Sequence, residues 1–205
     1  MTTETYRTKA EIRAFFRRQG IRYLKRTRVA WKPLLSMDLA ASVYYKENRA
    51  LFKGLCSRYG KQIAAGQLAP LYIRKVSDTV GYGVFAAKRL READFIGEYA
   101  GVVQPETAGT GAEENGGGYE SDYSWYYLDD VPSGPTLEIN GRKEGNVLRF
   151  VNHGNAPNVA VEHTLYEGQW LIFFTAAQDI EKDEQLLIDY GGAYWDDGYR
   201  DKKSM

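Results

Sequence analysis

Three short clusters hold most of the residues whose types and spacing could do chemistry. The first is VGYGVFA, Val80–Ala86, where two glycines flank Tyr82. Glycine lets a backbone come close to a ligand. The run lacks the third glycine of a dinucleotide fingerprint, and strand-like residues rather than a helix follow it. The second is NVLRFVNHGNAPN, Asn146–Asn158, which sets Arg149, Asn152 and His153 beside a Gly/Pro turn. Asn and His each offer donor and acceptor capacity, so this is a hydrogen-bonding patch on an apolar strand end. The third is QLLIDYGGAYW, Gln185–Trp195, an apolar strand running into Asp189, Tyr190 and two glycines, then Tyr194 and Trp195. Singly, each cluster reads as a turn or strand end with its polar groups satisfied.

Composition narrows the chemistry. The chain has 205 residues, one cysteine and two histidines. A single Cys56 makes neither an intrachain disulfide nor a thiolate zinc cluster, and His153 and His163 lack the spacing of a metalloprotease. No metal is expected. The opening residues carry scattered charges and no apolar core, and no run of 18 apolar residues occurs. That points to the cytoplasm or a nucleus, with no membrane partner. Charge is balanced overall, 27 against 27, but residues 1–75 carry 17 Lys/Arg and 4 Asp/Glu while the rest carry 10 and 23. The basic stretch could touch nucleic acid, an acidic surface or its own acidic partner domain.

The elements that must position the clusters fall into two textures. Residues 4–70 read as helical. Ile12, Phe15 and Phe16 sit at helical spacing before Gly20; Ser36 is placed to cap a second helix carrying Leu39, Val43 and Tyr44. Leu51, Leu55, Tyr59 and Ile63 recur four apart before Gly66. These stripes are core or a homodimer face. From Pro70 onward come short β-rich runs: LYIRKV, VFAAKRL, DFIGEYAGVV, WYYLDD, TLEI, NVAVEHTL, WLIFFTAA and QLLIDY, separated by turn residues. Between them, Gln104–Asp122 is rich in Gly and Glu and reads as a loop.

In this order, GYGVFA, FIGEYAG (Phe95–Gly101), LEINGRKEGNVLRFVNHGNAPN and IDYG (Ile188–Gly191) resemble the SET-domain protein lysine methyltransferases over about Leu71 to Asp196. The resemblance implies a mostly β fold of small curved sheets with a knot-like C-terminal crossing, which brings Asn152-His153 beside Tyr190. Three parts follow: a basic helical N-terminal region (1–70), the SET domain (71–192) and an aromatic, charged tail (193–205). Two departures stand out. The family's Ser-Cys after Asn-His is Gly154-Asn155, and its cysteine-rich zinc segments have no counterpart.

The implied activity is methyl transfer from S-adenosylmethionine to a lysine of a basic protein, such as a histone or histone-like protein. Tyr190 is then the catalytic tyrosine, and Tyr99 lines the lysine channel and hydrogen-bonds the amine. Trp125 and Ile188 line the channel too; Ile188 stands where the family has Phe or Tyr, and its smaller side chain leaves room for di- or trimethylation. Cofactor contacts carried over are Tyr82, Gly83, Tyr123, Arg149, Asn152, His153, Tyr194 and Trp195. The acidic residues Glu113, Glu114, Glu120, Asp122, Asp129 and Asp130 suit a basic peptide. The competing reading is a catalytically weak SET-like interaction module with a nucleic-acid-docking N-terminus.

Overall fold

The structure, a computed structural model, describes residues 4–106, 123–128 and 134–190. Its first helix, α1 (Lys9–Arg18), starts on a capping box: Thr8 accepts from the Glu11 backbone N–H while the Glu11 carboxylate accepts from that of Thr8. Ile12, Phe15 and Phe16 are buried on one face, as their spacing predicts. The long helix α3 (Arg49–Ala65) ends on Gly66, whose φ of 53° is the left-handed turn that glycine adopts most readily.

Residues 4–70 are not continuously helical. Three two-residue strands, β1 (Thr5–Tyr6), β2 (Arg22–Tyr23) and β3 (Arg28–Val29), interrupt them. Two-residue strands carry no periodic signal; they exist because sheet edges elsewhere in the chain have free backbone groups to offer. Ser36 caps no helix. It closes a 3-10 turn (Lys32–Ser36), and Ser42 caps the short helix α2 (Val43–Glu47) by accepting from the Tyr45 N–H. The four-residue stripe on α3 also drifts. Leu51 is 56% exposed and Phe52 is buried in its place. Steps of four overshoot a 3.6-residue turn, so a stripe that long winds off one face.

The β-rich remainder follows the expected order: β4 (Leu71–Ser77), β5 (Gly81–Ala86), β6 (Phe95–Glu98), β7 (Val102–Pro105), β8 (Ser124–Leu128), β9 (Leu137–Asn140), β10 (Glu144–Gly145), β11 (Asn152–His153), β12 (Val159–Tyr166), β13 (Gln169–Ala176) and β14 (Leu187–Ile188). The predicted loop opens as strand β7, and residues 107–122 lie outside the described residues. Five small sheets result, ordered β1-β4-β5, β10-β2, β11-β14, β12-β13-β6 and β3-β7-β9-β8. The N-terminal strands are thus built into the sheets of the later chain. No described helix is long and apolar enough to cross a membrane.

Strand β13 lies between helix α3 and the main core. Along a strand, neighbours face opposite sides. Phe173 packs against Tyr59 of α3, with ring centroids 5.5 Å apart. Phe174 faces the other way, 6.0 Å from Tyr99 and 6.2 Å from Trp125.

The parallel pair β11–β14 is short: Asn152 pairs Leu187 and His153 pairs Ile188, and no third strand joins it among the described residues. Asn158 holds it. This side chain, 2% exposed, donates from Nδ2 to Glu184 Oε1 (3.0 Å) and the Gln185 carbonyl (2.9 Å), and accepts from the Leu187 N–H (2.9 Å). Asn158→Ala leaves the Leu187 N–H and Gln185 carbonyl without this partner. The expected loss of stability is roughly 2–4 kcal/mol, measured by urea denaturation against wild type. A change near zero would show that the crossing does not depend on Asn158.

Candidate active site

The first cluster starts at β5. Gly83 lies where a Cβ would come within 2.6 Å of Gln185 Nε2, 2.9 Å of Val76 Cγ2 and 3.2 Å of Asn152 Nδ2. Only a bare backbone lets those polar side chains crowd the strand. Asn152 donates from Nδ2 to the Tyr82 carbonyl (3.2 Å). The Tyr82 side chain points elsewhere: its hydroxyl donates to Glu4 Oε2 (2.9 Å) and its ring meets Phe15 edge-on at 4.6 Å. Burial, then the Glu4 carboxylate, push the Tyr82 hydroxyl far above its ordinary pKa. Tyr82 therefore gives this cluster its main chain.

The C-terminal strand delivers Tyr190 to the same place. The Tyr190 N–H donates to His153 Nδ1 (3.3 Å), and the two rings lie 5.6 Å apart. A neutral His153 accepting there carries its proton on Nε2. Asp189 Oδ1 stands 3.6 Å from the same nitrogen, an ion pair when the ring is protonated. The Tyr190 hydroxyl donates to the Val151 carbonyl (3.0 Å). Ile188, 2% exposed, is part of the main core and passes its carbonyl to the Gly154 N–H (3.0 Å).

A second cluster forms around Tyr99, 3% exposed at the end of β6. Its hydroxyl donates to the Tyr123 carbonyl (2.8 Å), which also accepts from the Gly141 N–H (2.8 Å). Gly141 is a close-approach glycine, since a Cβ there would sit 2.6 Å from Tyr99 Oη. Burial raises the Tyr99 pKa well beyond the usual tyrosine range, so the hydroxyl stays protonated. Trp125 meets Tyr99 edge-on at 5.8 Å. Arg149, 8% exposed, donates from Nε to the Gly141 carbonyl (2.8 Å) and from Nη2 to that of Arg142 (3.1 Å), and stacks 3.9 Å over the Tyr123 ring. Burial lowers its pKa from the ordinary value.

Tyr82, Gly83, Asn152, His153 and Tyr190 thus come together in one cluster, and Tyr99, Tyr123, Trp125 and Arg149 in a second. The clusters are joined through the 3-10 turn Val147–Phe150, whose Arg149 serves one and whose successors Val151 and Asn152 serve the other. Tyr194 and Trp195 lie outside the described residues, as do the acidic positions from Glu113 to Asp122 and Asp129-Asp130.

The family model for the SET domain matches residues 81–191, more than half of the chain. The chain belongs to the SET-domain family. It is similar to the histone-lysine N-methyltransferase Su(var)3-9 of Drosophila melanogaster, 29% identical over 164 residues that are 76% of this chain and 25% of that protein. It is 32% identical over 116 residues to the histone-lysine N-methyltransferase MEDEA of Arabidopsis thaliana, covering 56% of this chain and 16% of that one. Among solved structures, an active polycomb repressive complex 2 in the stimulated state superimposes with a TM-score of 0.53 at 25% identity, covering 62% of this chain and 16% of that one. One titled ctPRC2 in an autoinhibited conformation bound to S-adenosylmethionine gives a TM-score of 0.52 at 27% identity, with the same coverage. The chain spans a quarter or less of each of these proteins.

Within this SET domain, the departure at Gly154 has a local cause. A Cβ there would come within 2.7 Å of Leu187 Cδ1 and 3.0 Å of Leu187 Cβ. The serine usual in the family does not fit against this leucine. Several supporting residues were not singled out from the sequence. Asn146, 3% exposed, donates to the Glu98 carbonyl (2.7 Å), next to Tyr99. The Glu98 side chain, 3% exposed, accepts from the Thr27 N–H (2.7 Å) and pairs with Arg26 at 3.5 Å. Asn146 and Asn158 are the two ends of a quoted motif, so their pattern was visible; Thr27 and Glu4 carried no signal.

Gly154→Ser is expected to lower the melting temperature, and Gly154→Ser with Leu187→Ala to recover most of the loss. Thermal unfolding of the three proteins decides it. A single variant as stable as wild type would remove the steric account.

Proposed function

We propose that this chain transfers a methyl group from S-adenosylmethionine to a lysine side chain of a basic protein, of which a histone or histone-like protein is the leading class. The carrying observation is the state of the two tyrosine hydroxyls. Each donates its hydrogen to a main-chain carbonyl, Tyr190 to Val151 and Tyr99 to Tyr123. Each hydroxyl is thereby fixed in direction, with its proton committed to the main chain. That suits aligning an amine and does not suit abstracting a proton. The names of the similar proteins support the lysine as acceptor.

The residues present fit the cofactor. Gly83 keeps the strand bare, and Asn152 and His153 can hold a heterocycle edge with paired donors and acceptors. When bound, S-adenosylmethionine supplies an electrophilic methyl on a positively charged sulfur. The protein's own part is to receive a lysine as the neutral amine. Free lysine has a pKa near 10.4. An amine brought beside the packed rings of Tyr99, Trp125 and Phe174 meets an apolar surface that disfavours the ammonium, and the proton leaves to solvent before transfer. The Tyr190 and Tyr99 oxygens then accept from the amine N–H groups and set its lone pair toward the methyl. Residues 76–205, with 10 Lys/Arg against 23 Asp/Glu, attract a basic segment.

Purified protein incubated with methyl-labelled S-adenosylmethionine, core histones and a cell extract should label a discrete basic protein. Tyr190→Phe should cut that labelling by about tenfold or more, close to 1.4 kcal/mol per factor of ten. The absence of both protein labelling and cofactor binding by calorimetry would favour an interaction module instead. The rate should rise from about pH 7 to pH 9 as the acceptor lysine deprotonates. Tyr99 contributes no fall near pH 10, because burial keeps its proton beyond tyrosine's usual range. Mass spectrometry should find di- or trimethyl-lysine, and Ile188→Phe should shift the product toward monomethyl; monomethyl product from the wild type under excess cofactor rejects the role given to Ile188.

A further inference from the structure

Part of the positive charge of residues 1–75 is engaged within the fold. Arg7 pairs with Asp183, Arg22 and Arg28 with Glu144, and Arg26 with Glu98. Arg13, Arg18 and Arg74 lie over the rings of Tyr23, Tyr6 and Phe85. Helix α3 differs. Its 17 residues include Arg49, Lys53, Arg58 and Lys61 and no acidic residue. All four are exposed, and none has an ion pair among the described residues.

Their placement on the helix is specific. Phe52, Tyr59 and Ile63 bury the inner face. Lys53, Ser57 and Lys61 stand four apart on the outer face, with Arg49 and Arg58 to either side. The outer positions between the charges are small: Ala50, Gly54, Ser57 and Ala64. At Gly54 an added Cβ would meet nothing within 4 Å. No neighbour in this chain requires a glycine there, and glycine is among the poorest residues for a helix interior. A body approaching from outside does benefit, because it can reach the helix backbone between the cationic side chains.

We propose that the outer face of α3 docks the phosphodiester backbone of duplex DNA. A run from Arg49 to Lys61 covers about 18 Å of helix at 1.5 Å per residue. That is long enough to follow several phosphates, spaced about 3.4 Å apart along each strand. Lys and Arg supply the charge and Ser57 a hydroxyl donor, the groups that contact phosphates without reading sequence. The outer face carries no aromatic ring on which unpaired bases could stack, which selects the duplex over a single strand. The face also lies across the β12-β13-β6 sheet from Tyr99: Phe173 faces α3 and Phe174 faces Tyr99. Duplex held there leaves the Tyr99 side open to a protein bound on the same DNA.

The test needs no methyl transfer, so it stands whether or not the catalytic reading does. The intact chain is titrated with a fluorescent random-sequence duplex over a range of salt concentrations. Log affinity should fall with log salt with a slope of about −3 to −4, at 0.9 per phosphate neutralised. Lys53→Glu combined with Lys61→Glu should weaken binding by about tenfold or more and make the slope shallower by about two. Gly54→Leu should weaken binding with all charges in place, and circular dichroism should show each variant folded. Unchanged binding by the double variant overturns the proposal. So does stronger binding to polyglutamate than to duplex at equal ionic strength, which would assign the face to an acidic protein.

Discussion

A two-residue parallel pair is the constraint on which this molecule depends. Parallel strands cannot be joined by a tight turn, so β11 and β14 must be brought together by the path of more than thirty intervening residues. The pair has too few hydrogen bonds to repay that ordering by itself. The buried carboxamide of Asn158 adds three, all to the returning segment Glu184–Leu187. With that segment fixed, the next residues follow without further choice. Ile188 enters the core, and the Tyr190 backbone reaches His153. Without it, Tyr190 and Asn152-His153 would belong to separate pieces of chain.

The second support comes from residues that precede the matched SET domain. The Thr27 N–H and the Arg26 guanidinium meet the Glu98 carboxylate, and the Thr27 hydroxyl donates to the Tyr99 carbonyl (3.3 Å). A buried carboxylate requires such partners, since an uncompensated charge in an apolar interior is costly. The Glu98–Tyr99 main chain is thereby gripped from one side by residues 26–27 and from the other by Asn146. At the Tyr82 end, Glu4 accepts from both Tyr6 and Tyr82 (2.8 and 2.9 Å), and β1 extends the β4-β5 sheet. The N-terminal stretch is a strap threaded along the domain more than a separate helical unit.

What could be read from the sequence follows from the range of each interaction. The β-rich run WLIFFTAA, bounded by turn residues, is a local signal, and β13 forms where it predicts. The spacing of Ile12, Phe15 and Phe16 is equally local and gives α1 its buried face. The meeting of Asn152-His153 with Tyr190 is not local; it was legible only because whole motifs in order resemble a known family. Thr5–Tyr6, Arg22–Tyr23 and Arg28–Val29 were illegible as strands, because their extended form is imposed by partners at Ile73–Arg74, Glu144–Gly145 and Val102–Val103. Arg149 shows the limit for single residues. The motif names it as a cofactor contact; it gives no sign that the buried guanidinium also holds two carbonyls and the Tyr123 ring.

That arrangement bears on how the two clusters act as one. Arg149 cannot lose its proton, so its stack on Tyr123 and its bonds to Gly141 and Arg142 persist over the range in which a lysine substrate would titrate. The same Gly141 gives its N–H to the Tyr123 carbonyl, which in turn accepts from Tyr99. A displacement of the turn at Val147–Phe150 therefore moves Tyr99 through Arg149 and Gly141, and moves Tyr190 through Val151. Two hydroxyl oxygens on different strands are held to one short stretch of backbone. Chemistry that works by alignment needs that coupling more than it needs any strongly shifted acid or base.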